Sequence, residues 1–217
     1  SIQESMKKLF YSFLFYLFWL SKLFILFRTL IFMDFDSLIK ERKCVRNYSA
    51  KGVSFSDVVK ICEASRYSPM AGNIYTVRLL LVTNKETKAK LVEAALGQEF
   101  IADAPYVLVV CSDLTNLARS YSEHAEIYSR QQAGAATENI FLKITELGLA
   151  TCWIGAFDEK AVRRALRIPD RIQIEAILPI AMPLGKTAAK KKPELKQILY
   201  FEKWGQTTAK PIRKVPA

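Results

Sequence analysis

The chain has 217 residues, 51% apolar and 24% charged, enough for one ordinary folded domain with an appendage and too apolar for wholesale disorder. Thirty-two Lys plus Arg against 21 Asp plus Glu give a net charge of +11, distributed as about +3 in residues 1–33, +1 in 34–185 and +7 in 186–217. A near-neutral body with a basic tail is poor material for a broad nucleic-acid-binding face.

The first 33 residues stand apart. Leu9 to Phe32 holds ten of the 25 aromatic residues and only two charges, Lys22 and Arg28. A span of about 20 apolar residues is long enough to cross a bilayer. Three readings stay open: a membrane-associated helix, an extension the folded domain does not need, with Met33 placed directly before an ordinary helical sequence, and an extra helix packed on a dimer. Lys7 and Lys8 precede the apolar run, but no small-residue cleavage site follows it, which disfavours a removable signal peptide.

From Asp34 the pattern becomes globular. Phe35, Leu38 and Ile39 share a helical face, and that helix is expected to end near Cys44–Arg46. Ser54-x-x-Asp57 opens a second helix, with Val58, Val59, Ile61 and Cys62 as its apolar residues. Ser68 to Asn73 is a loop by its turn residues, Val77–Val82 a strand, and Asn84 the cap of a helix over Lys85–Leu96. Pro105–Cys111 is a continuous, β-branched apolar run, which predicts a strand buried on both faces at the centre of a sheet. Ser122–Leu149 reads as one long helix sending Ile127, Ile140, Phe141, Ile144 and Leu147 into the core. Its small cluster Ala133–Ala136 permits close approach of another helix or a flat ligand. Ala150–Gly155 reads as a short strand, Asp158 as the cap of a helix over Glu159–Leu166, and Ile172–Met182 as a last strand before a basic linker, Lys186–Lys192. Helices outnumber strands without strict alternation, so an α+β layered domain is expected.

Motif chemistry is mostly exclusion. The cysteines, Cys44, Cys62, Cys111 and Cys152, are scattered with no C-x-x-C, so a Cys/His zinc site lacks its paired ligand spacings and no metal ligands are assigned. His124 is the single histidine, in a polar stretch expected to be solvated, which leaves His-based hydrolases without a convincing general base. The eight glycines spell neither G-x-G-x-x-G nor a P-loop.

Four segments, in this order and spacing, resemble the FMN-dependent nitroreductase family. They are Arg42-Lys43-Cys44-Val45-Arg46-Asn47-Tyr48; Ser68-Pro69-Met70-Ala71-Gly72-Asn73; Gly97-Gln98-Glu99-Phe100-Ile101-Ala102-Asp103-Ala104-Pro105; and Gly148 to Asp158, followed by Ile168-Pro169 and Leu178-Pro179-Ile180. The resemblance covers about Phe35 to Trp204. It implies a nitroreductase-like α+β fold with a central mixed sheet flanked by helices and an intertwined homodimer carrying FMN at the subunit interface. With it comes a division into an apolar segment (1–33), an FMN-binding domain (34–204) and a C-terminal tail (205–217). The implied activity is NAD(P)H oxidation with ping-pong hydride transfer through flavin N5 to a nitroaromatic, quinone or similar small acceptor, NADH or NADPH being the co-substrate. No side chain is then required as catalytic acid or base, because the cofactor carries the chemistry.

By the same resemblance Arg42, Lys43 and Cys44 approach the phosphate and ribityl chain, Arg46 the pyrimidine edge, and Pro69, Met70, Ala71 and Asn73 the ring. Trp153, Ile154, Gly155 and Ala156 lie along the other ring face, the N–H groups of Gly155 and Ala156 aimed at N5 and O4. Lys190 and Lys192 match a late basic pair near the phosphate, against the plain alternative of a solvated lysine run. Cys44 stands where Ser is usual, and Tyr75-Thr76-Val77 replaces a common Q-P-W, which alters the substrate wall. The expected place is the cytoplasmic side, where nicotinamide is supplied, with residues 9–32 a candidate membrane contact. The rival readings are a specialised member such as a reductive dehalogenase, for which the segment between Cys111 and Ser129 is short to serve as a lid, and a membrane-tethered flavin-binding module with little turnover.

Overall fold

A computed structural model describes residues 33–188 and 190–209. The apolar segment expected over residues 1–33 lies, except for Met33, outside the described residues, as do residues 210–217 of the tail. The described residues form two compact units that divide between Lys186 and Thr187. Among them no helix is long and apolar enough to cross a membrane.

The first unit is α+β. Its elements in chain order are α1 (Phe35–Glu41), β1 (Tyr48–Ser49), α2 (Phe55–Ala64), β2 (Val77–Val82), α3 (Lys85–Ala94), α4 (Phe100–Asp103), β3 (Tyr106–Asp113), α5 (Thr115–Tyr121), α6 (Ala125–Glu146), α7 (Glu159–Leu166), β4 (Ile172–Ile180) and β5 (Met182–Pro183). The apolar run expected as a buried strand is β3, the centre of a three-stranded sheet in the order β2-β3-β4, with Val107 to Ser112 buried. Where a mixed sheet was expected, every strand pairing among the described residues is antiparallel.

Period-two alternation on β3 builds two cores. Leu108 and Val110, with Leu178 and Ile180 of β4, pack on Ile61 of α2 and on Ile140, Phe141 and Ile144 of α6. Val107, Val109 and Cys111, with Ile177, pack on Leu91 of α3, Ile101 of α4 and Val162 of α7. A bulge between Val110 and Cys111 shifts the β3–β4 register by one residue. Lys88 of α3, itself buried, joins two elements on this side: its Nζ donates to the carbonyls of Ala102 (3.0 Å) and Ala104 (2.6 Å), which end α4 and lead the chain into β3.

The expected caps form. Ser54, Asn84 and Asp158 each accept from a first-turn N–H of the helix that follows, and Asp34, not assigned from sequence, does the same for α1. Four expectations are corrected. Helix α1 stops at Glu41, earlier than Cys44–Arg46, because Arg42 turns to φ −58°, ψ 120° and Val45 N–H bonds to Thr151 O (2.8 Å), a partner no helix could offer. The long helix begins at Ala125, after α5 and a 3-10 turn at Ser122–His124 whose Ser122 has φ 45°. Its buried stripe runs through Ser129, Gln132, Ala133, Ala136, Thr137, Ile140, Phe141 and Ile144, so Ile127 falls on the opposite face and is 56% exposed. Ala150–Gly155 is no continuous strand; it touches the sheet edge only at Ala150–Ala181 and Ile154–Ile177. Between those bridges the chain turns its hydrogen bonding toward residue 45.

In the second unit Glu194 caps a 3-10 turn at Leu195–Gln197 through a reciprocal bond with the Gln197 side chain, and the rings of Tyr200 and Trp204 meet at 4.8 Å.

Candidate functional site

The run from Arg42 to Asn47 is extended because both its ends are fixed. Val45 is buried, its N–H held by Thr151 O, and Tyr48 and Ser49 pair with Pro183 and Met182. The Tyr48 hydroxyl donates back to Val45 O (2.9 Å), and its ring meets Phe100 edge-on at 6.1 Å. With Val45 pointing in, the cationic neighbours are pushed outward. The Arg42 guanidinium lies 5.6 Å from the centroid of the Phe141 ring while its Nε contacts Glu138 Oε1 at 3.1 Å. The Arg46 guanidinium lies 5.8 Å from the centroid of Phe100. Each therefore has an aromatic platform that limits its conformers. Lys43 lies 3.7 Å from Glu41.

The segment Trp153–Ala156 runs beside this cluster. The Trp153 and Phe141 rings meet at 6.2 Å, so Arg42, Phe141 and Trp153 form one continuous contact. Ile154 is buried and both its backbone groups bond to Ile177, which fixes the segment on the sheet edge; Gly155 and Ala156 beyond it are exposed. Gln98 donates to Ala156 O at 3.4 Å.

Cys44 lies next to Cys152 at this junction. A hydrogen bond from the Cys152 thiol, helped by the Trp153 N–H and by Arg46 and Arg42, lowers the Cys44 thiol to about 5 against its own burial. Burial, and after it the electrostatics of the neighbouring cysteine pair, pushes the Tyr48 phenol well above its usual range.

The loop carrying Pro69, Met70, Ala71 and Asn73 is a tight turn with Gly72 and Asn73 both at φ 57°. It is held from below by Gln132 of α6. With its amide oriented by its neighbours, Gln132 accepts from Ala71 N (3.1 Å) and donates to Thr76 Oγ1 (2.8 Å) and Ile74 O (3.3 Å). Tyr121 of α5 covers Gly72 from above. Met70 and Cys44 flank the same apolar cluster under α6.

Of the predicted site residues, the structure thus brings Arg42, Lys43, Cys44 and Arg46 beside Trp153–Ala156, and builds Pro69–Asn73 as a separate, internally braced loop. Lys190 and Lys192 are exposed residues of the second unit. Gln132, Glu138, Phe141, Phe100 and Tyr121, which position these groups, were not assigned to the site from sequence. Gln132 alone left a signal, as an amide on an otherwise small and apolar helical stripe.

The sequence pattern of the family described as "Nitroreductase family" matches residues 39–98 and 91–186, which include all of these segments except the two tail lysines. The chain belongs to the nitroreductase family. Among nitroreductase relatives, a protein of Archaeoglobus fulgidus carrying the provisional name NADH dehydrogenase/NAD(P)H nitroreductase is 30% identical over 150 residues, 67% of this chain and 83% of the relative. The FMN reductase [NAD(P)H] of Bacillus subtilis is 28% identical over 174 residues, covering 73% of this chain and 69% of that one. A crystal structure from Bacteroides thetaiotaomicron with the same provisional name as the archaeal protein superimposes with a TM-score of 0.67 at 26% identity, over 75% of this chain and 94% of that chain. The nitroreductase fold expected from the motifs is the fold observed.

Proposed function

We propose that this chain is an NAD(P)H-dependent oxidoreductase that binds FMN and reduces small acceptors such as quinones or nitroaromatics. The observation that carries the reading is the cationic run Arg42, Lys43 and Arg46, held extended by Val45 and laid against the exposed segment Gly155–Ala156. The donor set fits the group. A phosphate monoester carries close to two negative charges and accepts charge-assisted hydrogen bonds from guanidinium and ammonium groups without a glycine-rich loop.

FMN, when bound, supplies the two-electron carrier between nicotinamide and acceptor. The chain's own residues bind and orient. Arg42, pinned between Glu138 and the Phe141 ring, presents a guanidinium of fixed direction to a phosphate. Arg46 places positive charge where the reduced pyrimidine edge gathers negative charge, which favours reduction. Asn73, exposed on its braced turn, offers an amide to the ring edge, and the backbone of Gly155 and Ala156 lines the other side.

The active form is a homodimer with its sites at the subunit interface. Supporting this, a Cβ added at Gly134 on α6 would meet nothing within 4 Å among the described residues, so Gly134, beside the core-facing Ala133 and Ala136, leaves room for close approach from outside the subunit.

The test is a visible spectrum of the purified full chain, recorded before and after anaerobic addition of NADPH or NADH and again after a quinone. Flavin bands that bleach with nicotinamide and return with quinone are expected. A colourless protein that takes up no added FMN would overturn the proposal.

A further inference from the structure

The bond from Val45 N–H to Thr151 O lays residues 44–46 against 151–153 and so sets two thiols far apart in sequence side by side. Cys152 is fully buried, its Sγ 3.9 Å from Trp153 O, and it neighbours Cys44, which is only half-buried and has Arg42, Arg46 and the Trp153 N–H as its other polar neighbours. An accessible sulfur surrounded by cations, backed by a second thiol already in contact and shielded from solvent, is the arrangement of an attacking and a resolving cysteine. Neither remaining cysteine shares it. Burial raises Cys62, and burial raises Cys111 to about 11.

We propose that Cys44 and Cys152 form a reversible dithiol–disulfide couple oxidised by hydroperoxides, with Cys44 the attacking thiol and Cys152 the resolving one. The Cys44 thiolate attacks the distal peroxide oxygen; the O–O bond breaks, a sulfenic acid forms on Cys44, and the leaving alkoxide or hydroxide takes a proton to depart as alcohol or water. Cys152 then attacks the Cys44 sulfur, the S–O bond breaks, and hydroxide takes the Cys152 proton to leave as water. Two thiols have lost two electrons and two protons to one hydroperoxide. An external thiol reverses the change by exchange through a mixed disulfide. Arg42 and Arg46 stabilise the thiolate and the departing anion alike. The chemistry itself requires no flavin, but the couple shares Cys44, Arg42 and Arg46 with the proposed FMN site, so bound FMN should slow its oxidation.

The experiment uses the full chain, reduced, freed of reductant, and treated with a few equivalents of hydrogen peroxide. Thiols are counted and the protein is digested with trypsin without reduction. Cleavage after Lys43, Arg46, Lys143 and Lys160 should give the peptide of residues 44–46 joined to that of residues 144–160, with two of the four thiols lost and both recovered on treatment with dithiothreitol. In the Cys152→Ser variant Cys44 should stop at the sulfenic acid and be trapped by dimedone; in Cys44→Ser Cys152 should stay reduced. Retention of all four thiols, a disulfide that includes Cys62 or Cys111, or dimedone labelling of Cys152 ahead of Cys44 would overturn the proposal. If either variant fails to fold, the wild-type thiol count and peptide map decide the matter by themselves.

Discussion

Gly72→Ala probes the turn that presents Asn73. Its φ of 57° places it in the left-handed region, where a Cβ costs about 1–2 kcal/mol. The same Cβ would stand 2.6 Å from Tyr121 Oη, inside the roughly 3.4 Å of an ordinary contact, so the Tyr121 ring has to move. That ring meets Tyr128 edge-on at 5.2 Å and 78°, a contact of about 0.5–1.5 kcal/mol. Together these give an expected loss of about 1.5–3.5 kcal/mol, or roughly 3–14 °C in melting temperature for a domain of this size. Removing the hydroxyl separates the two parts, because the next ring atoms lie 3.4 Å from the added Cβ. Gly72→Ala combined with Tyr121→Phe should recover the steric share and keep the backbone share of about 1–2 kcal/mol. Urea denaturation of wild type, both single variants and the double variant gives the coupling energy. Simple additivity would refute the steric argument, and a neutral Gly72→Ala would refute the backbone one.

Gln132→Leu leaves Ala71 N–H and Ile74 O without their buried partner and should destabilise the fold by about 2–3 kcal/mol, read by the same denaturation series. Arg42→Ala should weaken FMN about 10- to 100-fold in a fluorescence titration while leaving riboflavin almost unchanged, since the residue is assigned to the phosphate; equal losses for both ligands would move Arg42 to the ring. Arg46→Ala should weaken both ligands. Alkylation of Cys44 by iodoacetamide should reach half its maximum rate near pH 5, set by Cys152, Trp153 N–H, Arg46 and Arg42 around it, whereas a midpoint near 9 would disprove that environment. The folded state favours the thiolate, so its contribution to stability is fully present above the ordinary thiol value of about 9 and is lost as pH falls through about 5.

What was readable in sequence is what depends on near neighbours. The apolar run of β3 announced a strand covered on both faces, and Ser54, Asn84 and Asp158 announced three helix starts, because propensity and capping act within a few residues. The failures are all long-range. Residues 150–155 have strand-like composition, yet their hydrogen bonds are divided between β4 and Val45, and nothing local reports that division. Ile127 was placed inside because it is apolar; the phase of α6 is set instead by Ile140, Phe141 and Ile144 against β3. The site was legible as four motifs, while the aromatic platforms under Arg42 and Arg46 were not, since Phe141 and Phe100 lie far along the chain from the arginines they orient.

The bond between Val45 and Thr151 closes a loop of about 100 residues, for which chain entropy asks about 4 kcal/mol plus a constant. Tyr48 and Ser49 wait longer still, for Met182 and Pro183. During synthesis the basic run at 42–46 therefore leaves the ribosome well before either surface that will hold it straight, and it stays unstructured until nearly the whole first unit is out. Anion binding by that run can begin only once the chain is almost complete, and from then on any ligand that selects the folded form adds to its stability by mass action. A chain cut short before residue 182 would keep three of its cations and lose the arrangement that makes them a site.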